Sequence, residues 1–403
     1  MDQAALVTST PTSGSPDRLF TPAFVLLSIA DLGYFTAVGV GIYTLPLYVT
    51  GPVGSDRAGA GLAFGIFAVS ALVLRPFVGR MADRRGRKVL LFGGALLASV
   101  GLVLTAYADS LWLIVVLRLL LGVAEAAFVV AGFAALADLA PPSRLGEALS
   151  YNSLGLYLGF ALGPPLGEFL VESGSFTVAW FGAAVLSAIS AVVVLGMGET
   201  HTPGAAAAGP MRLIHRKAVA PGVGFFTSLA AIAGFLAFAA LHAESIGMTS
   251  ASVPLLVYGS VVVVSRIIFA KLPDRVPSLP LAASGLAGIA AGLATVALWS
   301  TPTGMIVGTV MMALGVTFST PAFFSAIFAT AGPTERGAAS GTASAFMDLG
   351  LGGGPIILGL VAQSAGIPWA FGAAAGLAIA GSAWTLALGL RTREPHLHST
   401  AHD

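Results

Sequence analysis

Gly79-Arg80-Met81-Ala82-Asp83-Arg84-Arg85-Gly86-Arg87-Lys88 places five basic side chains and one acid between two long apolar runs. About 20 apolar residues cross a bilayer core, and residues 59–79 and 89–108 each meet that length. The segment therefore reads as a charged turn between two membrane helices. Its glycines permit a tight turn, Asp83 can face the positive N-terminal end of a neighbouring helix, and the arginines can pair with acids. A basic anchor at the membrane surface would account for the arginines but not for the spaced Gly and Asp.

The same alternation of apolar run and Gly, Pro or charged punctuation extends in both directions. It predicts spans over 20–49, 59–79, 89–108, 111–137, 147–171, 176–197, 219–243, 252–270, 279–300, 303–330, 337–363 and 369–390. The fold class is thus all-α integral membrane with twelve helices. Composition points the same way, with 56% hydrophobic and 9% charged residues and a mean hydropathy of +0.92, where a soluble chain carries about 25% charged. A soluble protein of this length needs far more charge to cover itself, so one large water-soluble core is a poor alternative. Within apolar runs the 51 Gly and 23 Pro mark close-packed and bent helices. Cysteine is absent, which excludes disulfides and thiolate metal sites.

With the N-terminus in the cytoplasm, the outer loops carry Arg57 alone, while Arg80, Arg84, Arg85, Arg87, Lys88, Arg144, Arg212, Arg216, Lys217, Lys271, Arg275, Arg336, Arg391 and Arg393 fall inside. An even number of spans then brings both termini to the cytoplasmic side. The expected organisation is a disordered cytoplasmic tail (1–19), a six-helix half (20–197), a cytoplasmic linker (198–218), a second six-helix half (219–390) and a short tail (391–403). The first tail is rich in Ser, Thr and Pro and lacks the basic region that precedes a signal peptide. Arginine dominates the basic residues, with Lys88, Lys217 and Lys271 the only lysines, which suits a high-GC bacterium and its cytoplasmic membrane. The net charge of +1 says nothing about nucleic acid, and no nucleic-acid partner is expected.

An internal repeat supports the division into halves. At an offset of 191, Gly33, Phe35 and Thr36 match Gly224, Phe226 and Thr227; Arg75, Asp83 and Arg84 match Arg266, Asp274 and Arg275. Further on, Pro142 and Gly146 match Pro333 and Gly337, and Gly159, Gly163 and Pro164 match Gly350, Gly354 and Pro355, without a gap. Two parallel halves predict a pseudo-twofold axis along the membrane normal and a substrate cavity between them, suited to alternating access by rocking. Because the repeat already supplies both halves, a monomer is expected to function.

The Gly79–Lys88 segment resembles the cytoplasmic signature of the major facilitator superfamily, and the resemblance extends over nearly the whole chain. It implies that Gly79, Asp83, Arg84, Gly86, Arg87 and Lys88 form a conformational lock. Asp83 would meet the start of the eleventh helix near Gly337 and hold the outward-facing state, and Asp138 matches the family's partner for the loop arginines. Arg118-x-x-x-Gly122 resembles a second motif associated with proton coupling, with Leu121 where Gln is usual. Gly155, Gly159, Gly163, Pro164, Pro165 and Gly167 resemble the antiporter motif, with Glu168 where a second Gly is usual. These motifs imply a proton-coupled antiporter of drugs or natural products. Small residues at every fourth position also permit close helix contact, and the prolines favour a bend.

Four charges well inside predicted spans fail to repeat. Asp31 aligns with Gly222, Arg118 with Thr309, Glu125 with Val316 and Asp348 with Tyr157. Charge within a membrane helix is a functional candidate by default, and a carboxylate that alternates between dry and wet surroundings can exchange a proton near neutral pH. Asp31, Arg118, Glu125 and Asp348 are therefore the proton-coupling candidates, with Arg118 and Glu125 seven residues apart on one helix face. Tyr34, Tyr151, Asn152 and Tyr157 are candidates to line the cavity. A permanent ion pair bracing the helices is the competing reading of the acids.

The expected partners are a small-molecule substrate, protons and the bilayer. No cofactor is called for beyond the proton gradient, and no GxxxxGK[ST] nucleotide loop is present. A sugar or metabolite exporter and a proton symporter of the same fold stay open as alternatives. An enzyme is disfavoured, because His201, His215, His396, His398 and His402 fall in the central loop or tail and His242 at an outer helix end.

Overall fold

The computed structural model describes residues 19–141, 144–200, 214–269, 272, 275–332 and 335–391, apart from the side chains at 145, 146, 150 and 336. The expected tails (1–18 and 392–403), linker residues 201–213 and the repeat positions Pro142, Asp274 and Pro333 lie outside the described residues, as does Lys271.

All regular elements among the described residues are helical: α1 (Pro22–Thr50), α2 (Arg57–Gly65), α3 (Phe67–Arg85), α4 (Arg87–Thr105), α5 (Leu111–Leu139), α6 (Leu145–Ser173), α7 (Phe176–Leu195), α8 (Val219–Ser245), α9 (Val253–Ile268), α10 (Ser278–Leu298), α11 (Pro302–Phe328), α12 (Arg336–Ala365) and α13 (Ile367–Arg391). Eleven candidate spans are long and apolar enough to cross a bilayer, with α2 and α3 counted as one 29-residue span. The shorter apolar α9 makes the twelfth helix. In lipid every backbone group must be satisfied internally, and the helix starts show how. Thr21, Asp56, Ser175 and Thr301 each accept a hydrogen bond from the backbone N–H three residues on.

Exposed Val116, Val185, Val192, Phe169 and Leu390 would be a liability in water and face lipid here. Trp112, Trp299, Trp369 and Tyr107 are exposed at the bundle end opposite the basic Gly79–Lys88 loop, as an interfacial aromatic belt requires. We refer to these as the aromatic end and the basic end. Helix α8 is the most enclosed, with 89% of its most apolar window buried against 33–56% in the other spans.

Close approach of α1 and α6 explains the glycine stripe. A Cβ on Gly159 would stand 2.6 Å from the Phe35 carbonyl carbon, and one on Gly163 would stand 2.5 Å from the Gly39 Cα. In α12, Gly350 meets Phe226 and Leu229 of α8, and Gly354 meets Ala230. The offset of 191 relates Gly159 and Phe35 to Gly350 and Phe226, so equivalent positions make equivalent contacts. Without a hydrophobic drive between helices in lipid, such backbone-to-backbone packing is the main source of association.

One span departs from the expected continuous helix. Between α2 and α3 the ladder breaks at Ile66, which keeps right-handed helical dihedrals so that the axis continues. The carbonyls of Ala63 and Phe64, at the break, accept hydrogen bonds from Arg118 of α5 at 2.9 and 3.0 Å. A guanidinium fork that supplies two donors stabilises carbonyls released from a helix ladder.

Candidate functional site

Arg118 is engaged at that break through Nε and Nη2. Its guanidinium also lies 4.9 Å from the centre of the Phe67 ring, and among the described residues it makes no ion pair. Gly122, one turn on, has no room for a Cβ because the Phe67 carbonyl and the Ser70 hydroxyl occupy that space. Ser70 in turn donates to the Leu119 carbonyl at 2.7 Å. The Arg118-x-x-x-Gly122 pattern thus fastens α5 to α3.

That joint sets Arg75, one residue before Pro76 in α3, against Glu125 of α5 at 3.4 Å. From the other side Arg75 grips Asp348 of α12 with both arms of its fork, Nε to Oδ2 at 2.6 Å and Nη2 to Oδ1 at 2.8 Å. Bidentate pairing of this kind is strong and geometrically specific. The Asp348 side chain is 1% exposed, Arg75 11% and Glu125 19%. The second Glu125 oxygen, Oε2, is buried without a hydrogen-bond partner. One cation against two carboxylates leaves the ionised cluster with a net charge of −1 (+1 − 2).

Asp31 stands on α1, buried and without a hydrogen bond or ion pair among the described residues. Its Oδ1 lies 3.9 Å from where a Cβ on Gly132 of α5 would be. Tyr34, one turn along, stacks on Phe128 of α5 with ring centres 4.0 Å apart. Glu125, Phe128 and Gly132 share one face of α5, so Asp31 faces the stripe that carries Glu125, two turns and roughly 10 Å along the axis.

The remaining cavity candidates separate. Tyr157 of α6 lies under Arg266 of α9, whose guanidinium carbon is 4.4 Å from the ring centre. Arg266 donates to the Tyr157 hydroxyl at 3.4 Å and the Ser153 hydroxyl at 3.1 Å, and its Nε is buried without a partner. Tyr151 is exposed and packs edge-on to Phe20, and neither it nor the half-buried Asn152 joins the charged cluster.

The two ends of the bundle differ. At the aromatic end Glu168 of α6 accepts from the Ala251 N–H at 2.7 Å, the Ser252 hydroxyl at 2.6 Å, the Ser250 hydroxyl and Tyr43 at 3.5 Å, tying α6 to the start of α9. Gln363 of α12 accepts from the Arg57 N–H at 3.1 Å, and Gly61 and Gly65 of α2 press on Pro355 and Gly352 of α12 with no space for a side chain. At the basic end Arg87 pairs with Asp83 at 2.8 Å and Asp138 at 3.2 Å. Asp83 is half exposed, and no bond links it to the described residues at the start of α12. Glu199 caps α4 through the Arg87 and Lys88 N–H groups, beneath Gly86 at φ +94°, where a side chain would meet that carboxylate. Thr200 donates to Asp138, and at the far side of the linker His215 donates its N–H to Thr342 at 2.8 Å.

Residues 27–331 and 284–403 match the family described as Major Facilitator Superfamily. The chain belongs to the major facilitator superfamily. Membership makes it a transmembrane transporter rather than an enzyme. It is 27% identical to an uncharacterized MFS-type transporter of Burkholderia pseudomallei over 399 residues, covering 93% of this chain and 94% of that one. Another of Salmonella typhimurium is also 27% identical, covering 87% and 92%. Among solved structures, a bacterial homologue of the human lysosomal transporter Spinster, inward-facing and occupied, superposes with a TM-score of 0.75 at 16% identity over 93% of this chain and 98% of that one. The human organic anion transporter MFSD10 superposes with a TM-score of 0.71 at 17% identity over 92% and 100%. At these identities the likeness shows the fold alone.

In this major facilitator the charges that fail to repeat leave out Arg75 and Arg266, which repeat and each join the two halves. Their signal was available: each interrupts an apolar run, ALVLRPFV and VVVVSRIIF. Glu168 was visible only as a departure from the glycine motif.

Proposed function

We propose that the chain exports small amphipathic compounds by alternating access in exchange for protons, as a monomer in a bacterial cytoplasmic membrane. The observation that carries this reading is the net charge of −1 on the buried Arg75–Glu125–Asp348 cluster. Net charge inside a membrane protein is costly; one proton neutralises the cluster itself, and the Arg118 guanidinium, which acts on Glu125 without touching it, offsets part of the same charge. Glu125, with a free oxygen, and Asp31, with no partner, are the acids that take that proton; Arg118 acts by positioning α3 so that Arg75 reaches Glu125.

The halves 20–197 and 219–390 rock about the cluster, which joins α3 and α5 to α12. The positive-inside rule assigns the basic end to the cytoplasm. The Glu168 bonds then seal the outer side, and the unlatched Asp83 marks a state open inward, with the Asp83 lock closing when the halves rock outward. A proton moving down 100 mV releases about 2.3 kcal/mol, enough for about a fiftyfold gradient of neutral substrate. The glycine and proline pattern of α6 supports exchange over symport through its likeness to the antiporter motif.

Dye and drug efflux from an efflux-deficient bacterium tests the reading. Wild type is expected to extrude part of the panel, and either a protonophore or Asp31→Asn is expected to abolish extrusion while the protein still reaches the membrane. Undiminished uphill efflux in Asp31→Asn would remove Asp31 from the coupling path.

A further inference from the structure

The contact between Arg75 and Asp348 has a counterpart across the pseudo-twofold axis. The offset of 191 carries Arg75 to Arg266 and Asp348 to Tyr157, and these two residues are also in contact, again between one helix of each half. The chemistry differs. Two carboxylates face Arg75, whereas Arg266 meets two neutral hydroxyls and a ring face, and among the described residues no carboxylate pairs with it. Its Nε is buried with its proton unused. Arginine stays charged in proteins and offers a planar fork that matches carboxylate, sulfonate and phosphate. A partly buried cation in the last turn of α9 with no carboxylate against it needs an anion or water to complete it.

Aromatic rings extend from the same point. Tyr157 meets Phe160 edge-on at 6.2 Å, Phe160 meets Phe35 at 6.0 Å, and Phe35 meets Tyr34 at 5.6 Å, beside Asp31. Phe160 and Phe35 are only partly buried, so an apolar surface runs on from the Tyr157 ring that lies under the guanidinium. We infer that Arg266, Ser153 and Tyr157 form the anion-recognition subsite of the transported compound, which is a small aromatic or otherwise apolar molecule bearing one carboxylate, sulfonate or phosphate. The proton-linked acids lie in one half and the anion-binding cation in the other. Binding at this subsite deepens the exporter reading and rests on it only for the direction of transport.

Equilibrium dialysis of the purified full-length protein, corrected for protein-free micelles, tests the assignment with 2-naphthoate, naphthalene-2-sulfonate, neutral 2-naphthamide and cationic 2-naphthylmethylammonium. Wild type is expected to bind the two anions at least about tenfold more tightly than the amide or the ammonium, the order of one well-made charged contact. Arg266→Gln is expected to bring the anion-to-amide ratio to within about twofold of one, a change worth most of that contact. Tyr157→Asp keeps the arginine but gives it the carboxylate that its counterpart has, and the same loss of preference is expected. Should Arg266→Gln not fold, Tyr157→Asp with a native elution profile carries the test. A wild type without anion preference, including one that binds none of the four, or a preference that survives both substitutions, overturns the subsite. Protonophore-sensitive efflux of neutral dyes alongside that result would leave the exporter reading standing. An Arg266-dependent anion preference in a protein without such efflux would do the reverse.

Discussion

Two arginines at equivalent positions, Arg75 in α3 and Arg266 in α9, each cross from one half of the bundle to the other, but one lands on carboxylates and the other on hydroxyls. Duplication supplies the same backbone geometry twice, and single substitutions then give the two joints different tasks. On the proposed reading, the excess of negative charge at the first joint serves as the site for a proton. On the same reading, the unmatched positive charge at the second serves as the site for an anion. The repeat is therefore informative twice, in what it keeps and in what it changes at the partner position.

The sharpest way to break this comparison is to remove each cation. Arg75→Gln leaves Glu125 and Asp348 buried without the counter-ion that they share, and losing one member of a buried pair costs about 3–5 kcal/mol. A large drop in thermal unfolding temperature in detergent is expected, with partial recovery when Asp348→Asn is added. Arg266→Gln removes bonds to neutral hydroxyls, each worth about 1 kcal/mol, and should shift the midpoint far less. Equal losses at the two positions would mean that Arg266 has a buried anionic partner after all.

A smaller effect concerns the two ends. Glu168 accepts bonds from the Ser250, Ala251 and Ser252 segment at the aromatic end, and hydrogen bonds to a charged group are worth about 1.5–3 kcal/mol each. Because the chain has no native cysteine, Ala251→Cys provides a single buried reporter. A membrane-impermeant maleimide is expected to label it severalfold faster in a Glu168→Gln background. Unchanged labelling would show that the seal rests on the Gly61 and Gly65 contacts instead.

The spans were legible because the bilayer imposes them: length and hydropathy place each span to within about six residues of its observed ends, and the glycine stripe signals close helix contact without naming the helix that it touches. The cluster was legible only in its members. Glu125 and Asp348 announce themselves as charges in apolar helices, yet Asp348 meets an arginine 273 residues away, and no local pattern specifies that partner. Arg118 and Glu125 share a helix face and invite pairing, but the break at Ile66 offers Arg118 two carbonyls, and Arg75 takes the glutamate. That break has no Pro to signal it, and the donors that satisfy its carbonyls come from another helix.

Proton-driven accumulation in proteoliposomes is the most direct test of the central claim. Under an imposed pH gradient, wild type is expected to concentrate a transported dye above its equilibrium level, with Glu125→Gln and Asp31→Asn allowing only equilibration. Undiminished accumulation in both variants, or accumulation by wild type with no gradient, would contradict the account.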